Sequence, residues 1–351
     1  MITFAMMPKL PAAAARLFID AAAWAMAIVL TLPFAAAAEP IHLKLAFFGS
    51  EQARMYQAGI KPFLDGINAE GDGILTIKVY SGGVLGNALA EQPRLIIDGI
   101  ADIAFVVPGQ TPYRFPDNEL LEQPGLFRNA RDGTLAYTRL TAAGALRGYQ
   151  DFFVIGAYTP DPNLIHSRKQ IESLASIKGQ KIRANNATEA VAMGHLGAVQ
   201  SVLEASKIAS AIDRGALDGA TLSPTGLFDF GVAQIATNHF LLRSGVSPLV
   251  LLMNRKTFDS LPEAAKALVR KYSGDRAAAA WIGAYGASET QMLNKLKSDP
   301  DRKVVEPSPS DHEAAEQIFR SMIDAWAAKS PHNRELLAMT QAELATTRAG
   351  K

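Results

Sequence analysis

The fold is decided by residues 42–107, which read HLKLAFFGSEQARMYQAGIKPFLDGINAEGDGILTIKVYSGGVLGNALAEQPRLIIDGIADIAFVV. In residues 42–48 and again in residues 75–79, apolar side chains recur at every second position, a pattern typical of strands. Between these segments, four apolar side chains from residues 60–67 fall on one face of a helix. A glycine-rich turn, a second helix and the apolar run at residues 101–107 follow. The order strand, helix, strand, helix, strand predicts a parallel α/β sheet covered on both faces.

A second set of strands and helices continues along the chain. The pattern predicts strands at residues 152–158, 181–184, 218–222 and 247–253, and helices around residues 189–196 and 205–212. Two such sets predict two lobes. A helix-rich stretch with a break near Ser273-Gly274 and a helical tail complete the chain; they cover residues 262–297 and 312–348.

The N-terminus predicts export. Lys9 and Arg16 precede an apolar run at residues 21–38 that ends in four alanines, and polar Glu39 follows. Positive charge, an apolar stretch and small residues are typical of a secretory signal peptide, here residues 1–38. A retained membrane anchor remains an alternative, because the run has about the length that a spanning helix needs.

Composition excludes several classes of function. The chain has 351 residues, of which 48% are hydrophobic, and its formal net charge is +1 at pH 7. No basic patch stands out, so we expect no nucleic-acid partner. The sequence contains no cysteine, which excludes disulfides, thiolate chemistry and cysteine metal sites.

Catalytic motifs are absent from the sequence. There is no G-x-S-x-G elbow and no P-loop, and the six histidines are scattered without a zinc-binding spacing. We therefore expect neither an enzyme nor a cofactor or metal site, and a secreted α/β enzyme is kept as the alternative.

Several short segments, in order, resemble the DctP-type solute-binding receptors of tripartite ATP-independent periplasmic (TRAP) transporters. They are IKVYSGGVLG at residues 77–86, IDGIADIAF at 97–105, GQTPYRFP at 109–116, PGLF at 124–127, IKGQKIR at 177–183, ALDG at 216–219 and SPLVLLMNRKTFDSLPE at 247–263. Each segment taken singly is weak evidence for the family, and the resemblance rests on the order and spacing of the segments.

The resemblance implies a two-lobed α/β fold like that of periplasmic binding proteins. We expect mixed or parallel sheets, an interlobe cleft and a long hinge-spanning helix. One lobe would comprise residues 39–160 and about 249–290, and the other residues 161–248. Residues 291–351 would form C-terminal helices that pack across both lobes.

Arg183 is the central residue that the resemblance implies, because the arginine of this motif binds the ligand carboxylate in the family. A guanidinium offers a planar fork that matches two carboxylate oxygens and keeps its charge. Arg183 ends a predicted strand, and crevices form at the carboxyl ends of parallel strands. A surface arginine, or one paired with a structural carboxylate, is the alternative.

Other candidates for the cleft come from positions that match the family's ligand contacts. The predicted ligand-binding residues besides Arg183 are Val107, Gln110, Asn163, Asn186, Leu222, Ser223 and Phe228. Weaker candidates for the pocket wall are Phe47, Ser50, Tyr113 and Asn185. Compared with the family's sugar-acid receptors, these positions offer few partners for hydroxyl groups. They favour an apolar monocarboxylate, aromatic or branched, although each side chain could instead fill the core.

The resemblance implies a periplasmic, monomeric receptor that delivers a small organic acid to a two-component TRAP membrane permease. Ligand would enter the open cleft and the lobes would close around it. A binding protein of an ATP-driven importer and a sensor that feeds a signalling receptor remain open alternatives.

Overall fold

The computed structural model describes residues 40–201 and 203–350, which form an α/β protein with two sheets. The predicted signal peptide lies outside the described residues. Within them, no helix combines the length and the apolar character needed to cross a membrane.

The strands are short and distributed along most of the chain. They are β1 (Ile41–Ala46), β2 (Leu75–Tyr80), β3 (Ile103–Val106), β4 (Phe152–Tyr158), β5 (Leu164–Ser167), β6 (Lys181–Arg183), β7 (Val199–Ser201), β8 (Gly219–Leu222), β9 (Asn238–Phe240), β10 (Leu249–Asn254) and β11 (Lys303–Val305).

The helices connect these strands and form the C-terminal part. They are α1 (Lys61–Glu70), α2 (Gln92–Ile97), α3 (Asn118–Leu121), α4 (Ala130–Ala142), α5 (Ala187–His195), α6 (Ile208–Asp213), α7 (Pro224–Asp229), α8 (Arg255–Ser260), α9 (Glu263–Lys271), α10 (Asp275–Ser298), α11 (Pro309–Ala328) and α12 (Pro331–Arg348). A π-helical turn, Tyr56–Ile60, precedes α1.

The first sheet has five strands in the order β2-β1-β3-β10-β4. The strands β1, β2 and β3 are parallel, as the sequence predicts. The returning strand β10 inserts antiparallel between β3 and β4, with Val250 opposite Val106. The sheet is therefore mixed, and the lobe built on it is called the first lobe below.

Both faces of the first sheet are covered, which explains its continuous apolar strands. On β3 and β10, Phe105 and Leu251 pack into one core, while Val106 and Leu252 pack into the core on the opposite face. Alternate side chains of a strand point to opposite faces, so a strand with two buried faces has no polar alternation.

The second sheet has six strands in the order β11-β9-β5-β8-β6-β7. The strands β6, β7 and β8 are parallel, and Arg183 of β6 lies opposite Ala220 of β8. In contrast, β5 runs antiparallel to β8 and β9. The lobe built on this sheet is called the second lobe.

The long helix α10 contacts both lobes. It packs against α4 and β4 of the first lobe and against α7 and β11 of the second. Its Trp281 is fully buried, stacks on Tyr158 and Tyr285, and donates a hydrogen bond of 2.7 Å from Nε1 to the carbonyl of Thr159. Thr159 follows β4, where the chain leaves the first sheet, so α10 is anchored at the crossing between the lobes.

Candidate functional site

The candidate site lies where strand ends of the two sheets meet. In the second sheet, the register of β6 and β8 places Arg183 and Ser223 at the same carboxyl edge. In the first sheet, Val107 and Gln110 follow the end of β3. The Nε2 of Gln110 donates a hydrogen bond of 2.9 Å to the backbone carbonyl of Asn185, two residues after β6. The two edges are therefore in direct contact.

Arg183 is buried, with 3% of its surface exposed. Its Nε donates a hydrogen bond of 2.9 Å to the carbonyl of Leu203, and its Nη1 donates to the side-chain oxygen of Asn185. Both partners are neutral. Within residues 40–201 and 203–350, no Asp or Glu forms an ion pair with this guanidinium.

Burial lowers the pKa of Arg183 to about 10, and the nearby Glu189 opposes this shift. The guanidinium therefore stays protonated at neutral pH, although its charge is poorly compensated. A buried cation without a counter-ion is unfavourable, and an anion that reached it would remove much of this cost.

Glu189, in the first turn of α5, connects several elements of the site through hydrogen bonds. It is fully buried, and its carboxylate accepts hydrogen bonds from the backbone of Asn185 at 2.8 Å and from Thr221 at 2.6 Å. It also accepts from Asn163 at 3.0 Å and from Ser244 at 2.7 Å. The Glu189 carboxylate therefore connects the ends of β6 and β8 with the two segments in which the chain passes between the lobes, one between β4 and β5 and the other between β9 and β10.

The amides of two predicted residues are used within the protein. Asn163 donates to Glu189, as described above. Asn186 caps α5, since its side-chain oxygen accepts from the backbone of Glu189 at 2.8 Å and its Nδ2 donates to the carbonyl of Val246 at 3.2 Å. Both side chains bond to Glu189 and so help to position the elements that carry Arg183.

Ser223 caps α7 by accepting from the backbone of Gly226 at 3.1 Å. Leu222 is buried, and its carbonyl interacts with Nε2 of His166 at 3.1 Å. Both residues share the edge of Arg183 through the strand register.

Among the remaining predicted residues, Val107 packs at the border of the first-lobe core, half-buried. Phe228 is half-buried beneath Lys295, whose Nζ lies 4.9 Å from the ring centroid. Neither side chain hydrogen-bonds to Arg183 or stacks on it.

The weaker candidates are dispersed. Phe47 is buried and packs edge-on against Phe105 in the first-lobe core, whereas Ser50 is exposed. Tyr113 is 85% exposed. Asn185 is the one among them that touches Arg183.

A buried carboxyl group on α10 was not singled out by the sequence patterns. Glu289 is 1% exposed, and its Oε2 accepts a hydrogen bond of 3.0 Å from the backbone of Thr225 at the start of α7. Burial raises its pKa to about 8, with Asp161 adding to the shift. Glu289 is therefore mainly neutral at pH 7 and ties the long helix to the segment after Ser223.

Two buried histidines, His166 of β5 and His239 of β9, form a hydrogen-bonded pair in the second sheet. The Nδ1 atoms of His166 and His239 lie 2.8 Å apart, and Nη1 of Arg302 lies 3.5 Å from Nε2 of His239. Since a carbonyl only accepts, Nε2 of His166 carries the proton that bonds Leu222. His239 must then donate from Nδ1, and its bare Nε2 faces the arginine. In the part of the chain that the structure describes, no group of three or more His, Asp or Glu side chains could hold a metal ion.

Comparison with known proteins identifies the class of fold. Residues 48–330 match the family model described as bacterial extracellular solute-binding protein, family 7, also called DctP. A solute-binding protein of Sulfitobacter sp. (strain NAS-14.1) is 24% identical over 256 residues, which cover 72% of this chain and 75% of that protein.

Two solved structures superimpose closely. One is a TRAP solute-binding protein from a marine metagenome, described as specific for aromatic acid ligands and bound to 3-hydroxybenzoate; it is 21% identical with a TM-score of 0.79, over 88% of this chain and 99% of that one. The other, from Rhodoferax ferrireducens T118, carries copurified benzoate; it is 22% identical with a TM-score of 0.78, over 89% and 100% of the two chains. At these identities the likeness establishes the two-lobed fold.

Proposed function

The chain belongs to family 7 of the bacterial extracellular solute-binding proteins, and we propose that it captures a small organic acid between its lobes for delivery to a TRAP-type permease. The observation that carries the proposal is the buried guanidinium of Arg183, which forms no ion pair with a described residue and lies at the edge where the lobes meet. The family consists of substrate-binding receptors, which agrees with the lack of catalytic motifs in this sequence.

The carboxylate of the ligand would bind to Arg183. A paired, charge-assisted hydrogen bond from a guanidinium is among the strongest that a neutral-pH protein can offer to a carboxylate. Asn185 now accepts from Nη1, and a ligand oxygen would replace this neutral acceptor with a charged one. The desolvation that lowers the pKa of Arg183 would then be offset by the ion pair.

The ligand would be a largely apolar monocarboxylate, with an aromatic ring as the favoured substituent. Asn163 and Asn186 have their amides committed to protein partners, so few side chains remain to bind ligand hydroxyl groups. Val107 adds an apolar side chain at the opposing edge. The two structural relatives described above bind benzoate and 3-hydroxybenzoate, which agrees with this class.

The residues that we predicted as ligand contacts divide into two roles in this proposal. Arg183 would touch the acid, and Val107, Leu222, Ser223 and Phe228 would form the wall around its substituent. Gln110, Asn163 and Asn186 would position the elements of the site.

Ligand contacts from both lobes would shift the population toward the closed state. The lobes would be residues 39–160 with about 249–290, and residues 161–248, with residues 291–351 packing across them. The protein would act in the periplasm as a monomer after removal of residues 1–38, and its partner would be the permease.

A thermal-shift comparison of benzoate with benzamide tests the proposal. Both molecules present the same ring, but only benzoate carries the charge that Arg183 requires. A ligand that binds only the folded state at 100 times its Kd adds about 2.7 kcal/mol of stability, so benzoate should raise the Tm by several degrees. Benzamide should leave it unchanged. Equal shifts with both molecules, or no shift with benzoate or any other monocarboxylate of a panel, would refute the proposed function.

A further inference from the structure

The junction between the lobes buries a second carboxyl group, that of Glu122. It directly follows α3 of the first lobe and is 4% exposed. Its Oε1 accepts a hydrogen bond of 3.1 Å from Nδ2 of Asn118, in the same lobe. Its Oε2 accepts one of 3.2 Å from the hydroxyl of Thr188, in α5 of the second lobe. Glu122 is therefore bonded across the junction.

The backbone of the first lobe approaches this carboxyl group closely. A Cβ atom added to Gly109 would lie 2.0 Å from Oε1 of Glu122, so a larger residue at this position would force the carboxyl group to shift. Gly109 and Glu122 line one side of a pocket of about 360 Å³, and Thr188 and Val191 of α5 line the other. Separation of the lobes would open this pocket and bring solvent to the carboxyl group.

The groups that face Glu122 are acidic or neutral. Glu119 approaches from α3 and Glu189 from α5, while the phenols of Tyr137 and Tyr149 lie on the first-lobe side. In the described part of the chain, no lysine, arginine or histidine pairs with Glu122. A negative charge on the buried carboxyl would therefore be stabilised by the hydrogen bonds from Asn118 and Thr188 without a counter-ion.

Burial raises the pKa of Glu122 from 4.5 to about 8, although the hydrogen bonds from Asn118 and Thr188 oppose the shift. In the arrangement seen here, with the lobes in contact, the carboxyl is therefore mostly protonated at pH 7. An exposed carboxyl group ordinarily has a pKa near 4.3 and is ionised at that pH.

We propose that closure of the lobes takes up one proton on Glu122, so that capture of the ligand is coupled to protonation of this carboxyl group. The coupling to ligand capture rests on the proposed function. The uptake of the proton depends only on closure of the lobes, with or without a ligand. On opening, the carboxyl loses its bond to Thr188, meets water and returns the proton to solvent.

The direction of the pH dependence follows from linkage. The pKa of Glu122 is higher in the closed state than in the open state, so low pH favours closure and the advantage is lost as the pH rises through about 8. Benzoate stays ionised throughout this range. Its Kd should therefore rise by about 25-fold between pH 6.5 and pH 8.5, with a limiting slope of one decade per pH unit below the closed-state pKa.

The test uses two cysteines introduced into the cysteine-free chain. Asn87→Cys in the first lobe and Ser206→Cys in the second lie at exposed positions and can carry spin labels. In the ligand-free protein, the population with short interlabel distances should increase as the pH falls from 9 to 6. With Glu122→Gln, which mimics the neutral acid, that population should not depend on pH, and Kd for benzoate should be the same at pH 6.5 and pH 8.5.

Glu119→Gln is the matched control, since Glu119 lines the same pocket but pairs with Lys329 and is 41% exposed at its side chain. This variant should retain the pH dependence of the parent. Thermal unfolding of each variant checks that it is folded.

Distances that do not change with pH in the parent, or a pH response that persists in Glu122→Gln, would overturn the inference. Absence of benzoate binding would count against the proposed function, while the label distances would still decide the role of Glu122.

Discussion

Arg183 combines two properties that rarely occur together, burial and the lack of a carboxylate partner among the described residues. Its neighbours Leu203 and Asn185 supply only neutral oxygens. Protein interiors tolerate a charge when it is paired, or when a ligand completes the pair. In the proposed function, Arg183 forms an ion pair with a carboxylate that the ligand supplies.

Glu189 should be essential for stability rather than for direct binding. Glu189→Gln places an amide NH₂ among four hydrogen-bond donors and removes acceptor capacity. We expect the free energy of unfolding to fall by about 2–4 kcal/mol, because buried donors lose their partner. Urea denaturation measures this change.

Glu204→Gln is a suitable control because Glu204 is exposed and, among the residues that the structure describes, forms an ion pair with Lys207 at the surface. It should change the free energy of unfolding by less than about 0.5 kcal/mol. A Glu189→Gln protein as stable as this control would mean that the carboxylate does not organise the site.

The buried histidine pair predicts a defined pH response. Burial lowers the pKa of His166 to about 3 and that of His239 to about 4, with Arg302 adding to both shifts. Unfolded histidine binds protons near pH 6.5, so the contribution of the pair to stability is complete above that pH and falls as the pH drops toward 4. In NMR titrations, both ring signals should stay constant from pH 8 to pH 5, unlike those of a histidine peptide. A ring signal of either residue that titrates near pH 6.5 would contradict the arrangement.

Among single residues, Arg183 was indicated by the resemblance of residues 177–183 to the family's motif, and its predicted position at a strand end supported the choice. Glu189 was not found, although Asn186-x-x-Glu189 resembles a capping box, which pairs a cap residue with a glutamate three positions later. Its other partners, Asn163 and Ser244, lie 26 and 55 residues away in sequence. Such long-range hydrogen bonds leave no local pattern.

Among the elements, the longer strands and most of the longer helices were predicted because each carries several periods of its pattern, whereas the 13-residue helix α4 was not predicted. The direction of β10 was not, since a continuous apolar run is the same for a parallel and an antiparallel strand covered on both faces. The strands β5, β7, β9 and β11 were missed because three or four residues are too few to show a clear alternation. The break before α10 was expected, and Gly274 occupies it with a positive φ of 60°.

The anchor of α10 at the lobe crossing can be tested by Trp281→Ala. This change removes stacking on Tyr158 and Tyr285, and the hydrogen bond to Thr159, from a fully buried position. Large-to-small substitutions of buried aromatic residues cost about 3–5 kcal/mol, and we expect a loss of that size in chemical denaturation.

Gly286→Ala on the same helix is the comparison, since a Cβ there meets no atom within 4 Å. Alanine is the better helix former, so this variant should gain about 0.5–1 kcal/mol. If Trp281→Ala were as stable as the parent, α10 would not be anchored through this side chain.

For the whole molecule, the order of elements predicted two lobes, and the fold has the expected two sheets joined by crossing segments and a long helix. What the sequence could not provide was the set of contacts between the lobes. Gln110 to Asn185 and Glu122 to Thr188 join residues 75 and 66 positions apart, and only the folded chain brings them together. The predicted lobe boundaries and the removal of residues 1–38 stay predictions.

The central claim is that Arg183 binds the carboxylate of the ligand. Arg168 serves as the control arginine, because it follows β5 at the opposite edge of the same sheet and is exposed.

Isothermal titration of benzoate into the parent protein, Arg183→Ala and Arg168→Ala tests this claim most directly. The loss of a buried charged partner costs at least about 2–3 kcal/mol, so Arg183→Ala should bind about a hundredfold more weakly or not at all. Arg168→Ala should bind like the parent. An Arg183→Ala protein that is folded and binds benzoate with the affinity of the parent would contradict the account.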